Sequence, residues 1–171
     1  AVLVQYSTDY VFAGDGDGPY AEDAPLAPVS AYGRSKAEGE RRARAAHPEG
    51  TIVLRTAWLY GEHGPNFVRT MMRLHREHGT LTVVDDQRGQ PTWTHDLAEQ
   101  TVRMLASGVR NGVLHGTSSG ATTWHGFARA IVENLGGDPA TVIPTDSARF
   151  VRPARRPANS VLAHDGWRRL G

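Results

Sequence analysis

The sequence predicts an α/β protein with a largely parallel sheet. Two observations carry this. Short runs rich in β-branched and aromatic residues alternate with stretches of helical spacing along the whole chain. The runs at 1–6 and 51–60 have the unbroken apolar character of strands buried in a sheet.

Residues 1–6 (AVLVQY) predict a buried strand running into Ser7-Thr8-Asp9. Residues 13–30, rich in Gly, Asp and Pro, read as a loop. Ser30 is placed to cap a helix over 31–46. Glu38/Arg42 and Glu40/Arg44 are acid-before-base pairs that support that helix, and His47-Pro48-Glu49-Gly50 ends it. Residues 51–60 (TIVLRTAWLY) predict a second buried strand, and 61–65 a turn. Phe67, Met71 and Leu74 give 66–78 a helical spacing, closed by Gly79. A short strand over 81–84 leads into a polar loop, 85–93, holding Gly89 and Pro91. Thr94 is placed to cap a helix through about Ala106, with Leu97, Thr101, Met104 and Leu105 on one side. Short strands at 112–116 and 141–143 flank a helix over 123–135 that stops at Gly136-Gly137. Residues 147–160, with four arginines and two prolines, predict an extended loop.

Composition excludes several function classes. The 171 residues suit one domain with a sizeable core, and 39% hydrophobic with 22% charged residues describes a soluble globular chain. A net charge of +1 argues against a protein that works by neutralising nucleic-acid phosphates. The absence of cysteine removes disulfides, thiolate metal sites and a cysteine nucleophile, and fits a reducing, cytoplasmic compartment. No apolar run approaches membrane-spanning length. The chain opens on Ala1 inside an apolar run and closes on Gly171 after an aromatic-basic cluster, so a fragment of a longer protein is expected. His75 and His78 stand at i,i+3 without an HExxH frame, and a polar helix face explains them better than a metal. No Gly-x-Ser-x-Gly elbow of a serine hydrolase is present.

One number inside the charge sum points to chemistry. Of 19 basic residues 18 are arginine, and the one lysine, Lys36, follows Tyr32 by four. Residues four apart share a helix face, so the phenol and the ammonium can enter one pocket. Free tyrosine, with a pKa of about 10, is a poor acid–base group at neutral pH. A fixed cation favours the phenolate and makes the phenol a usable proton donor to a carbonyl oxygen. Where charge alone is needed this chain uses arginine; lysine is the compact point charge with rotatable donors. Thr8, just after a predicted buried strand, sits where open α/β sheets place their ligands and could orient the reacting oxygen. A plain Ser/Thr turn at a strand end is its alternative.

Ser7-Thr8-Asp9-Tyr10-Val11-Phe12, Tyr32-Gly33-Arg34-Ser35-Lys36 and Arg55-Thr56-Ala57-Trp58-Leu59-Tyr60 together resemble the extended short-chain dehydrogenase/reductases. Asp86-Gln87-Arg88-Gly89-Gln90-Pro91-Thr92 and the stretch from Arg152-Pro153 to Ser160 resemble, within them, the dTDP-4-dehydrorhamnose reductases. The resemblance implies part of a Rossmann-type domain, with 1–62 as the catalytic half of the NAD(P)-binding domain. Residues 63–171 would be mainly substrate-binding, with a helix and strand returning to the sheet near 94–118. It implies reduction of the 4-keto group of dTDP-4-dehydro-L-rhamnose by NADPH or NADH. Tyr32 would protonate the developing alkoxide, Lys36 would lower its pKa and hold the nicotinamide ribose, and Thr8 would hydrogen-bond the carbonyl. Asp9 is then a polar contact to the sugar or a turn cap. Trp58 packs on the sugar or in the core. Asn66 donates to nucleotide phosphates or caps the helix after it. Arginine forks suit a pyrophosphate, so Arg156, more than Arg152 or Arg155, stands as a substrate contact, with a solvated loop as the alternative. The resemblance is compatible with Mg2+ and with a homodimer; net charge and the short apolar runs already argue against nucleic acid and membrane as partners.

The glycine-rich turn that meets a dinucleotide pyrophosphate is not found in this sequence. Gly14-Asp15-Gly16-Asp17-Gly18 carries carboxylates that would repel phosphate, and no helix pattern follows it. The family places that turn upstream of the Ser-Thr strand, so residues 1–171 alone are expected to bind NADPH poorly and to be unstable, with open strand edges. Two rivals remain. One is another nucleotide-sugar reductase, epimerase or dehydratase, although Tyr10 stands where dehydratases of this group carry an acid. The other is a non-catalytic homologue, similar to the regulatory subunit of methionine adenosyltransferase, against which intact Thr8, Tyr32 and Lys36 argue.

Overall fold

The computed structural model describes residues 1–150, 154 and 156–170, with side chains through Arg168. Arg152 and Arg155 lie outside the described residues. In chain order the elements are β1 (Leu3–Thr8), α1 (Ala31–Ala46), β2 (Thr51–Thr56), β3 (Leu59–Tyr60), α2 (Phe67–His78) and β4 (Leu81–Val84). There follow β5 (Arg88–Gly89), β6 (Thr92–Trp93), α3 (Thr94–Ala106), β7 (Gly112–His115), β8 (Thr122–Thr123), α4 (Trp124–Asn134), β9 (Val142–Thr145) and α5 (Asp165–Leu170). Short 3-10 turns cover Asp9–Val11, Pro139–Thr141 and Ser147–Arg149. No helix among the described residues is long and apolar enough to cross a membrane.

The strands pair as the alternating pattern requires. β1, β2 and β7 form a parallel sheet in that order, with Thr8 beside Thr56 and Arg55 beside His115. β4 pairs with β9 and β3 with β6, both in parallel, and β5 pairs with β8 antiparallel. Ile52, Leu54, Leu97, Met104 and Leu114 join α3 to β2 and β7 in one core. Met71, Leu81, Val83, Ile131 and Val132 join α2 and α4 to β4 and β9 in another. A third, small cluster of Val11, Phe12 and Leu162 ties the strand-end turn to the C-terminal segment.

Local chemistry sets the helix ends. Ser30 Oγ accepts from the Gly33 amide at 3.0 Å, starting α1 where the sequence places it. A Cβ at Gly33 would stand 2.1 Å from the Tyr10 carbonyl oxygen, so glycine alone lets α1 lie against the turn after Thr8. Asn66 Oδ1 caps α2 from Arg69 N, and Gly79, at φ 72°, ends it in the left-handed conformation. Thr123 Oγ1 caps α4 from Gly126 N.

Four local expectations change. Helix α3 begins at Thr94 but takes Trp93 as its cap residue, with no side-chain cap bond, because the β3–β6 pairing fixes the entry. Glu38 does pair with Arg42, and with Arg41, but Glu40 points inward, 3% exposed, and pairs with Arg55 instead of Arg44. The first strand is shifted by two residues and only its end is buried: Leu3 and Tyr6 are 43% and 41% exposed. The second run breaks after Thr56 at Trp58, whose φ of 48° cannot continue a strand.

Candidate functional site

The C-terminal end of β1 delivers Thr8 and Asp9 into the protein, each buried, at the mouth of the parallel sheet. Thr8 Oγ1 accepts from the Tyr10 amide at 3.2 Å, capping the short turn, and donates to Asp9 Oδ1 at 2.8 Å. Thr8 rather than Asp9 is therefore the turn cap. Asp9 Oδ2 makes no hydrogen bond, although the side chain is 3% exposed. Burial pushes the Asp9 carboxyl up to about 6, against the smaller opposing pull of the Ser160 and Thr8 hydroxyls and the local amides.

A cavity of about 1110 Å³ opens from this strand end. Thr8, Asp9, Trp58 and Arg156 line it, and Trp124 with Phe67 extends the wall toward α2 and β4. Trp58 lies flat on Trp124, ring centres 3.6 Å apart and planes 8° from parallel. Trp124 Nε1 donates to Gln87 Oε1 at 3.2 Å, and a Cβ at Gly89 would meet the Trp58 ring at 2.4 Å. The left-handed backbone at Trp58, unusual for a bulky residue, places its ring between Trp124 and Gly89. Trp58 is half-buried on the cavity wall and not in a hydrophobic core.

Tyr32 and Lys36 stand one turn apart on α1, outside the residues that line the cavity. Tyr32 is 54% exposed and meets Tyr10, itself on the cavity wall, edge to face at 5.9 Å. Lys36 Nζ donates to the Tyr6 carbonyl at 2.6 Å, which leaves two of its three N–H groups for other partners. Asn66 is placed elsewhere. Its Oδ1 caps α2 and its Nδ2 donates to the carbonyls of Gly61 and Gly64, so both ends of the amide are committed and it does not line the cavity. The helix-capping alternative is the one the structure displays. The Gly14–Gly18 stretch is no phosphate cradle: the amides of Gly14 and Gly16 donate to the Tyr20 hydroxyl, and Asn159 ties the carbonyls of Gly16 and Gly18.

Behind the site lies a buried polar chain that the sequence reading missed. The Arg55 guanidinium forks onto Glu40, with Nη2 to Oε2 at 2.8 Å, and also donates to the Glu22 carbonyl. Ser7, next to Thr8, donates to Glu40 Oε1. His115 is fully buried beside Arg55; burial, then that cation, pushes its pKa down to about 4. The neutral ring donates from Nδ1 to the Ala163 carbonyl and accepts at Nε2 from Arg55 Nη1. Arg55 in the middle of an apolar strand was the available signal, since a buried arginine needs a buried acid. Among the described residues one trio with metal-like spacing exists, His95, Asp96 and Glu99. It is exposed and lies away from the cavity.

Comparison with known proteins now adds to this geometry. The family model described as the RmlD substrate binding domain matches residues 1–171. A protein of Streptomyces antibioticus named probable dTDP-4,6-dihydroxy-2-methyloxan-3-one 4-ketoreductase is 53% identical over 99% of this chain. A dTDP-4-dehydrorhamnose reductase of Streptomyces griseus is 48% identical over 100% of it. The crystal structure of dTDP-4-dehydrorhamnose reductase from Bacillus anthracis in complex with NADP superposes over the whole chain with a TM-score of 0.95 and 37% identity. The chain spans 57%, 58% and 60% of these three proteins, respectively.

Proposed function

The chain belongs to the RmlD substrate binding domain family, and from that membership we propose that it carries the reaction centre of a reductase acting on the 4-keto group of a dTDP-linked sugar, with dTDP-4-dehydro-L-rhamnose as substrate and dTDP-L-rhamnose as product. The observation that carries the reading is the meeting of Thr8, Asp9 and Trp58 on one large cavity, with Tyr32 and Lys36 on the helix beside it.

Reduced nicotinamide, NADPH or NADH, supplies the hydride to the sugar C4 when bound. The residues present fit its ribose: an exposed phenol, packed on the cavity-lining Tyr10, and an ammonium with two uncommitted N–H groups stand one turn apart on α1. Tyr32 donates the proton that completes the alcohol, and Lys36 favours the phenolate left behind. Thr8 hydrogen-bonds the reacting oxygen, Trp58 offers a flat apolar wall to the sugar ring, and Arg156 is the cation available to a phosphate. In this proposal residues 1–62, with α3 and β7 near 94–118, form the catalytic half of the cofactor domain, and the remainder of 63–171 mainly binds the sugar nucleotide. A homodimer and a cytoplasmic location rest on family resemblance.

The test follows NADPH oxidation by the complete product of the gene with dTDP-4-dehydrorhamnose, beside Tyr32→Phe. General acid catalysis contributes on the order of 100-fold or more, so the variant should lose about that factor. Equal rates would sink the mechanism. A second reading, reduction of a different dTDP-linked keto sugar, is favoured by the 53% identity to the Streptomyces antibioticus protein. A higher kcat/KM with another dTDP-4-keto-6-deoxy sugar would select it.

A further inference from the structure

We propose that Asp9 is a positioning residue that sets the direction of the Thr8 hydroxyl: ionised, it holds Thr8 as a hydrogen-bond acceptor, and protonated, it turns Thr8 into a donor aimed at the keto oxygen. This rests on the ketone-reduction reading above and deepens it.

A threonine hydroxyl has one hydrogen and two lone pairs. At Thr8 one lone pair takes the Tyr10 amide and the hydrogen goes to Asp9 Oδ1. Only a lone pair is left, so this Thr8 can accept from an alcohol but cannot donate to a ketone, which has no hydrogen to offer. A protonated Asp9 reverses the bond. Its O–H donates to the remaining lone pair of Thr8, and the Thr8 hydrogen is released toward the cavity. The two states therefore match the two ends of the reaction: the donor form fits the ketone and the acceptor form fits the alcohol. Asp9 transfers no net proton, because the hydrogen that completes the alcohol comes from Tyr32.

The surroundings of Asp9 make the protonated form accessible. The side chain is 3% exposed, it makes no ion pair among the described residues, Oδ2 has no hydrogen-bond partner, and burial outweighs the nearby hydroxyls and amides that favour the carboxylate. The groups that face it are neutral: the hydroxyls of Thr8 and Ser160 and the amides of Asp9 and Tyr10. The charged groups on the same cavity are Asp86, whose oxygens are spent on Ser147 N and Oγ, and Arg156. Burial brings the carboxyl to about 6, within reach of neutral pH. By linkage, a ketone that selects the donor form draws in a proton as it binds, and an alcohol does not.

The test is the pH dependence of kcat/KM, which reports ionisations of the free enzyme. It uses the complete gene product, NADPH and dTDP-4-dehydrorhamnose, in wild type and Asp9→Asn. An amide presents N–H to Thr8 at every pH and so mimics the protonated carboxyl. A group with a midpoint near 6 is half protonated at pH 6 and about 1% protonated at pH 8, so wild-type kcat/KM should fall about 50-fold across that window. In Asp9→Asn that fall should shrink at least tenfold, while any limb due to Tyr32 stays in both. An unchanged pH profile in the variant overturns the proposal. So does loss of activity at every pH in a folded variant, which would make Asp9 a carboxylate contact to the sugar. A second measurement needs no turnover: in the wild type, the carbon NMR shifts of Asp9 Cγ and Thr8 Cβ should titrate with one midpoint. A Thr8 signal that ignores the Asp9 midpoint overturns the proposal too. A wild type without ketone reduction at any pH would instead remove the functional reading, and the NMR result would then judge the Asp9–Thr8 coupling alone.

Discussion

The buried carboxyl of Asp9 should make the protein less stable as the pH rises. Its pKa moves from the ordinary 3.8 to about 6 on folding, with burial as the largest cause. The folded state therefore binds the proton more tightly than the unfolded chain. The sign follows from linkage: this contribution is fully favourable below the unfolded pKa and is lost as pH rises through the folded one. At about 1.36 kcal/mol for each tenfold change in proton affinity, this gives about 3 kcal/mol lost between pH 2 and pH 8. Most of it disappears between pH 4 and pH 6. Asp9→Asn removes the ionisation and keeps the shape. Urea unfolding of wild type and variant at several pH values checks this. The variant should gain relative to wild type by about 2 kcal/mol from pH 4 to pH 8. A stability difference that stays flat across that window refutes the raised carboxyl. A difference of opposite sign would mean that Asp9 is stabilised as a carboxylate by a cation.

Three further outcomes are expected from named contacts. Glu40→Ala leaves the Arg55 guanidinium, 3% exposed, without its acid, and should cost about 3–5 kcal/mol in urea unfolding, with Glu40→Gln much milder. Asn66→Ala should lose about 1 kcal/mol of stability through the α2 cap and leave KM for the sugar nucleotide unchanged. A tenfold rise in KM would restore the phosphate-donor role. Gly89→Ala places a methyl 2.4 Å from the Trp58 indole and should cost about 1–3 kcal/mol, with a changed tryptophan emission as the ring leaves Trp124. Normal emission and stability would show that the wall yields without strain.

The helices were legible because their end signals are local. Ser30, Asn66, Gly79 and Thr123 act within three or four residues, so the sequence alone places α1, α2 and α4 within a residue or two. Strand ends were less legible. The break at Trp58 depends on Gly89 and Trp124, which are 31 and 66 positions away and carry no local sign of that contact. Glu40 shows the same limit. Its spacing to Arg44 satisfies the surface-pair rule, yet Ser7 and Arg55, both distant in sequence, draw it inward. Periodicity cannot separate an outward charge from one buried against a distant partner.

Site residues divide along the same line. Lys36 is informative in sequence because it follows Tyr32 by four, and Thr8, which alone reads as well as a turn residue, gains weight from that pair. The rarity of lysine among 19 basic residues added weight that an ordinary composition would not. Asp9, in contrast, reads equally well as a turn cap or a sugar contact, because both need only a carboxylate near a strand end. The structure separates these by satisfying the cap with the Thr8 oxygen, so that the carboxyl keeps an oxygen without a hydrogen bond inside the protein. A buried acid that is neither a cap nor half of an ion pair has no stabilising task to explain its cost. Its position, one hydrogen bond from the hydroxyl proposed to meet the ketone, turns that cost into a means of choosing which way the hydroxyl points.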